Sequence, residues 1–399
     1  MKKMTMAVMA LAGMAAQAAY AQNSVTLYGV VDNGLAYQNN GTTLGSSAQG
    51  HSLVKMSTGV WMGDRFGLKG AEDLGGGTKA IFTLESGFSG NNGASQFAGG
   101  MFTRQAWVGL TNEAYGSLTA GRQYTAYYTL LAPYSPTTWL TGYFGAHPGD
   151  IDSLDTLYRV NNSLVYLSPS FHGLTFGGSY AFGGEPGSFN AGSTWSAGVQ
   201  YMSGPLGIAA AIQRINNSTS GGGAWGAFST TSNGGSQTAV SAINNGYVTA
   251  KAQQRVAVTA GYKFSPAWEV TASYSNVQYI PGANSAFRDT AIFNTVGAVL
   301  HFKPTAAWDI GAGYAYTRAT KANGVASSAK YQQFTLTQYY ALSKRTGLYA
   351  AQAYQRATGQ TLNGGAIVNA TASIGDGFSG NPSSTRDQIG LGVGLVHRF

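Results

Sequence analysis

Three aspartates, Asp150, Asp152 and Asp155, fall in one connecting stretch, and arginines 65, 104 and 159 are spread along the first half of the chain. Clustered acids can hold a metal, share a proton or set up a field. Metal binding finds little support: the 399 residues contain no cysteine, and no His/acid spacing matches a metal-ligand pattern. Exposed acids could at most hold Ca²⁺ weakly. Hydrolysis needs a hydroxyl nucleophile within reach of a histidine. The five histidines, His51, His147, His172, His301 and His397, stand at no evident catalytic spacing. No catalytic residue, no metal site and no cofactor is therefore assigned. What remains is fixed charge, because guanidinium stays ionised at any physiological pH.

Such charges matter only if the fold aims them. Residue alternation indicates how it does so. In the last stretch, Ile389, Leu391, Val393, Leu395, His397 and Phe399 share one face, while Gly390, Gly392, Gly394, Val396 and Arg398 share the other. A period of two means a β-strand. The same pattern sets Val256, Val258, Ala260, Tyr262 and Phe264 against Arg255, Thr259, Gly261 and Lys263, and Phe66, Leu68 and Gly70 against Arg65, Gly67 and Lys69. In the segment from Leu348 to Gln355, Ala and Tyr are too frequent for the faces to be told apart. Lys79, Thr83 and Glu85 oppose Ala80, Phe82 and Leu84. A charge costs about 2–4 kcal/mol on the lipid side of a barrel at the bilayer midplane. That cost turns Arg65, Lys69 and Lys79 away from lipid.

Sixteen such segments are expected, near 24–37, 58–71, 77–88, 101–112, 117–124, 160–169, 174–183, 195–203, 205–215, 254–264, 267–279, 291–303, 306–319, 330–342, 346–357 and 388–399. Each is about 10 residues, enough for a tilted strand to cross a bilayer. Tight turns alternate with long Gly/Ser/Asn-rich loops, the asymmetry of an outer-membrane barrel. Tyr28, Tyr37, Tyr262, Phe264, Tyr279, Phe302 and Tyr316 near segment ends are expected to form interfacial girdles. The expected fold is all-β: a transmembrane 16-stranded antiparallel barrel closed by pairing the last strand with the first.

Bulk composition agrees. Only 10% of residues are charged, with 57 Gly and 24 Tyr, against about 25% charged in ordinary soluble domains. Mean hydropathy is −0.07, too polar for a helical membrane protein. Residues 1–21 read as a secretory signal: Lys2-Lys3, an uncharged stretch, then Ala19-Tyr20-Ala21. Residues 22–399 then form one barrel domain. Loss of Lys2 and Lys3 lowers the formal charge from +8 to +6. The positive charges form no runs, which argues against nucleic acid.

The chain resembles the general porins of Gram-negative bacteria, of the kind found in beta-proteobacteria. The matching stretches are Ser24–Gly29, Asp64–Gly70 followed by Glu72–Gly75, Arg104–Leu110, Tyr115–Gln123, Arg159–Ser163 with Tyr166 and Ser168-Pro169, and Ser343–Thr346. The resemblance implies an outer-membrane homotrimer with one water-filled pore per subunit, passing small hydrophilic solutes and ions. It also implies that the third long connection, about 124–158, folds inward, and that its acids Asp150, Asp152 and Asp155 face a basic wall of Arg65, Arg104 and Arg159. Strand parity leaves Arg104 ambiguous, since it shares parity with Ala106, Val108 and Leu110; the resemblance turns it inward. Arg122 and Lys79 are expected lower in the lumen, with Glu85. Phe399 resembles the terminal aromatic read by the barrel insertion machinery, and lipopolysaccharide is the expected lipid neighbour. The balance of +6 suggests a weak anion preference, which three loop acids could cancel.

A second reading keeps the fold but makes the pore specific for sugars or small organic anions, with Trp139, Tyr143 and Phe144 as an aromatic slide.

Overall fold

The computed structural model describes residues 24–46, 48–97, 99–140, 142–155, 158–231, 240–377 and 379–399. The expected signal segment, 1–21, lies outside them. The wall strands are β1 (Ser24–Gly41), β2 (His51–Thr58), β3 (Arg65–Gly75), β4 (Thr78–Gly87), β5 (Gln105–Asn112), β6 (Gly116–Gln123), β7 (Val160–Leu167), β8 (Leu174–Ala181), β9 (Thr194–Ser203), β10 (Leu206–Asn216), β11 (Ala252–Lys263), β12 (Trp268–Ile280), β13 (Ala291–Phe302), β14 (Trp308–Ala319), β15 (Lys330–Ala341), β16 (Thr346–Thr358) and β19 (Asp387–Arg398). A small hairpin, β17 (Gln360–Asn363) and β18 (Ala366–Asn369), pairs by itself inside the last long connection.

Neighbours pair antiparallel all the way round. β19 closes on β1 from Val30 opposite Arg398 to Gln38 opposite Gly390. Gly29 and Phe399 extend that ladder by exchanging backbone bonds of 3.0 and 3.1 Å. Closure leaves no strand edge unpaired in lipid. The Phe399 ring lies over Gly29, where a side chain would collide with it.

The expected second strand, 58–71, is instead two strands. β2 and β3 both pair with the same edge of β1, at residues 33–41 and 24–30, so together they fill one wall position. Among the described residues the wall thus has sixteen positions. Residues 59–64 between them leave the ladder and need other partners for their backbone N–H groups. The buried Asp32 carboxylate accepts from Trp61 N (2.7 Å) and Met62 N (2.6 Å), and from the Tyr349 hydroxyl. Asp64 accepts from Asp32 N and from Gly90 N. The alternation across 58–71 gives no sign of this break.

Two rows follow from the pleat. Val256, Val258, Val296, Leu300, Leu336, Leu348, Leu391, Val393 and Leu395 are exposed on the outer row. The segment with unassigned faces resolves: Leu348 and Tyr354 point outward, while Tyr349, Ala351 and Ala353 are buried. The aromatic girdle is partly as expected. Tyr262 packs on Phe264, Trp268 stacks on Phe302 and Trp308 meets Tyr340 at the short-turn end. Tyr28 and Tyr279 leave it: Tyr28 bonds Glu85 on the inner row, and Tyr279 is buried among loop residues. Tyr28 shares parity with buried Asp32 and Ala36 on β1, and Tyr279 with buried Ser275 and Val277 on β12, the rows that the pleat sends inward.

Candidate functional site

The segment after β6 carries three short helices, Ala126–Leu131, Pro136–Leu140 and Gly142–Gly145. A connection this long has many backbone groups to satisfy. The wall supplies them from its second row, the one opposite the exposed apolar row. Thr259 donates to Leu131 O (2.9 Å), Gln200 to Leu130 O (2.9 Å), Arg255 Nε to Ile151 O (3.1 Å), and Gln333 to Ala146 O (2.8 Å) and Phe144 O (3.2 Å). Ser196 accepts from Tyr127 N. Where the segment presses closest, the wall is bare: Tyr134 lies on Gly207, Leu140 on Gly313 and Phe144 on Gly390 and Gly392. The glycines of the last strand therefore receive an aromatic ring. A Cβ at Gly392 would stand 2.7 Å from Phe144 Cε2.

The opposite part of the wall, β2 to β7, carries the charges. Arg104 is 1% exposed and its Nε donates to Glu85 Oε1 at 2.7 Å. β5 starts at Gln105, not at 101 as expected, so Arg104 stands just before the pleat and escapes the parity that would aim it at lipid. Its Nη2 reaches the Tyr124 hydroxyl (3.4 Å), and Arg159 Nη2 reaches the same oxygen. The Arg159 guanidinium lies 4.5 Å from the Tyr124 ring centroid. Burial pushes the Tyr124 phenol up, but Arg159, Arg104 and Arg65 outweigh it and hold it below the usual tyrosine value. Glu85 also accepts from Tyr28 OH at 3.0 Å. Arg65 Nε donates to Gly63 O.

Arg65 and Arg104 line a space of about 540 Å³ together with Lys55, Gln96, Tyr128, Asp155 and Asp376. One loop acid, Asp155, lines the same space as Arg65 and Arg104. Asp150 and Asp152 do not, and this corrects the expectation of three opposing acids. Asp150 is buried; burial first, then Asp155 and Asp152, pushes its carboxyl well above the usual range. Asp152 is buried against the far wall, accepting from His147 Nδ1 and Ser275 Oγ, both at 2.7 Å. Burial alone would raise it, but His147 and Ser275 hold it below the usual carboxylate value. Both are anchors, fixed in a bend where Gly149, Asp150 and Ser153 have positive φ.

Of the weaker candidates, Lys69 is exposed on the inner row with Nζ 5.5 Å from the Tyr28 ring. Lys79 stands opposite Asp73 beside the tight turn. Arg122 is not lower than the cluster. It pairs with Ala106 and donates to Thr103 O (2.7 Å) and Asn161 Oδ1 (2.6 Å), level with Arg104. The register irregularity after Gly121 puts it there.

Sequence reasoning missed Tyr124, which joins two arginines, and the anchoring role of Arg255, His147 and Gln333. Their signal was a polar residue on an inner row opposite a loop of unknown path. Of the proposed aromatic slide, Tyr143 and Phe144 are buried in the packing of the loop on the wall. Ser273, His147 and Asp152 do form a line, with Ser273 Oγ 3.4 Å from His147 Nε2. All three are buried where the loop packs on the wall. Among the described residues no group of three His or acids could hold a metal.

A barrel whose inner row is charged on one side and covered by a loop on the other matches a known family. The model of the Gram-negative porins matches residues 7–298. The chain belongs to this family. The chain is 36% identical over 239 residues to an outer membrane porin protein of Bordetella pertussis, covering 55% of this chain and 60% of that one. It is 34% identical over 213 residues to outer membrane porin protein 32 of Delftia acidovorans, covering 52% and 58%. The matched stretch thus spans about 60% of the length of these relatives. Among solved structures, an anion-selective porin from Comamonas acidovorans superposes with a TM-score of 0.69 at 24% identity, covering 94% of this chain and 100% of that one. An outer membrane protein of Vibrio cholerae gives 0.62 at 16% identity, covering 94% and 98%. The outer membrane of a Gram-negative bacterium is accordingly where this porin resides.

Proposed function

We propose that the chain forms an outer-membrane pore for passive diffusion of small hydrophilic solutes and ions, with a weak anion preference. The observation that carries this is the charged space beside the loop, with Arg65 and Arg104 on the wall and Asp155 across from them. Opposed fixed charges set a transverse field in a narrow wet gap. Polar solutes keep their hydrogen bonds there, while apolar ones must displace oriented water. A wall of arginines raises the local anion concentration. Lys55, Arg65 and Arg104 share this space with Asp64, Asp155 and Asp376, and Glu85 neutralises part of Arg104, so the preference is weak; withdrawal of Asp150 and Asp152 into the packing moves it toward anions. The anion-selective Comamonas porin of similar fold fits this direction.

Three copies would associate in the membrane, each with its own pore; the mass of the detergent-solubilised assembly tests this. No catalytic step is needed. A sugar-specific pore loses support because Tyr143 and Phe144 are used in packing.

The test is step conductance and reversal potential of the purified protein in a planar bilayer under a KCl gradient. Large ohmic steps with an anion-side reversal are expected. A cation-side reversal would hand control to Asp155 and Asp376. Absence of conductance would overturn the pore.

A further inference from the structure

Tyr124 stands one residue past β6, and two cations share its hydroxyl. Arg104 Nη2 lies 3.4 Å away, and Arg159 Nη2 reaches the same oxygen from the segment before β7. Guanidinium groups only donate, so the phenol oxygen accepts twice. Both bonds grow stronger when that oxygen carries a charge. The ring is held as well. The Arg159 guanidinium lies 4.5 Å from its centroid, and the Tyr128 ring stacks on it at 4.7 Å. Tyr128 belongs to the first loop helix and lines the open space with Arg104 and Arg65. Tyr124 thus sits one contact behind that space, joined to its wall on one side and to its loop on the other.

Charged groups face Tyr124 from each neighbouring element: Arg65 on β3, Glu85 on β4, Arg104 before β5, Arg122 on β6 and Arg159 before β7. The loop adds Tyr128, itself beside Asp155. Cations therefore outnumber acids around this oxygen. Burial raises the Tyr124 phenol, but Arg159, Arg104 and Arg65 outweigh it and leave it below the usual tyrosine value. Its stacking neighbour goes the other way: burial, then Tyr124 and Asp155, pushes the Tyr128 phenol up. We propose that Tyr124 is a specificity-determining residue of the pore: neutral, its hydroxyl braces Arg104 and Arg159; ionised, it cancels one of their charges, so that anion preference falls in alkaline medium. The proton it loses passes to water in the lumen. The proposal rests on the pore reading above.

Reversal potentials of the full chain in a planar bilayer would be read under a KCl gradient between about pH 7 and 10. A unit charge about 4 Å from an ion's path changes the local ion population by up to about fivefold in water. The ratio of chloride to potassium permeability should fall by up to that factor as pH rises. Tyr124→Phe should lose most of this fall. Lys55 lines the same space and also sheds its charge toward alkaline pH; Lys55→Gln should lower the ratio at neutral pH and keep the fall. Should Tyr124→Phe not insert as a folded barrel, a ring-fluorinated tyrosine at 124, a more acidic phenol of nearly the same shape, must move the fall to lower pH. A ratio independent of pH in the parent, a fall that survives whole in Tyr124→Phe, one that vanishes in Lys55→Gln, or one unmoved by fluorination would overturn the proposal while leaving the pore intact. Absence of conductance in the parent would overturn the pore reading itself and the proposal with it.

Discussion

The lumen has two unlike halves. From β2 to β7 the inner row carries Arg65, Lys69, Glu85 and Arg104, and the space beside them is open. From β9 to β19 the inner row is mostly glycine, alanine, threonine, serine and glutamine, with Arg255 among them bonded to Ile151 O, and the loop lies on it. Both halves share one outer row of apolar side chains. The difference teaches that a barrel's inner row encodes its filling. Large charged side chains keep space wet, whereas small and neutral polar ones receive a segment and bond its carbonyls.

The largest effect should come from breaking the charged half. Glu85→Ala leaves buried Arg104 without its ion-pair partner, and removing one member of a buried pair costs about 3–5 kcal/mol. Thermal unfolding should show that loss, while Glu85→Gln should keep part of it. On the packed half, Gly392→Leu drives a side chain into Phe144. Overpacking costs about 1–3 kcal/mol, and single-channel records should become noisier as the loop shifts. Arg255→Met removes the donor to Ile151 O. An unmet buried carbonyl costs about 1–3 kcal/mol, again read as lower unfolding temperature with selectivity unchanged.

The smallest effect is in pH. Asp150 has a folded-state pKa above its unfolded value, so it binds a proton that the unfolded chain releases. Its contribution is fully present below the unfolded value of about 4 and is lost as pH rises toward the folded value. Asp152 has the opposite sign: its contribution is present above that value and fades as pH falls through the depressed folded one. Asp150→Asn should therefore stabilise at neutral pH, and Asp152→Asn should destabilise there. Unfolding temperatures between pH 4 and 8 separate the two, and equal responses would contradict the distinct environments of these carboxyls.

Much of the fold was legible because alternation is local. Leu391, Val393 and Leu395 declare a lipid face without reference to any other strand, and closure through Phe399 follows from that last strand. The break at 59–64 was hidden because its partners, Asp32 and Tyr349, lie far away in sequence. The inward arginines were legible where the pleat is regular, at Arg65. Arg104 required knowledge of where β5 begins. Asp150 and Asp152 misled because sequence shows charge but not burial; Ser275, which donates to Asp152, and Arg255, which donates to Ile151 O between the two acids, are brought near only by the path of the loop.

The central claim is that solutes pass the charged half and that the packed half is closed. The chain contains no cysteine, so single cysteines can be read against a silent background. Gln96→Cys stands in the open space, and Thr259→Cys stands beneath the loop. A charged thiol reagent added to conducting channels should react with the first and cut the current in steps, and leave the second untouched. Rapid reaction at Thr259→Cys with none at Gln96→Cys would contradict the account.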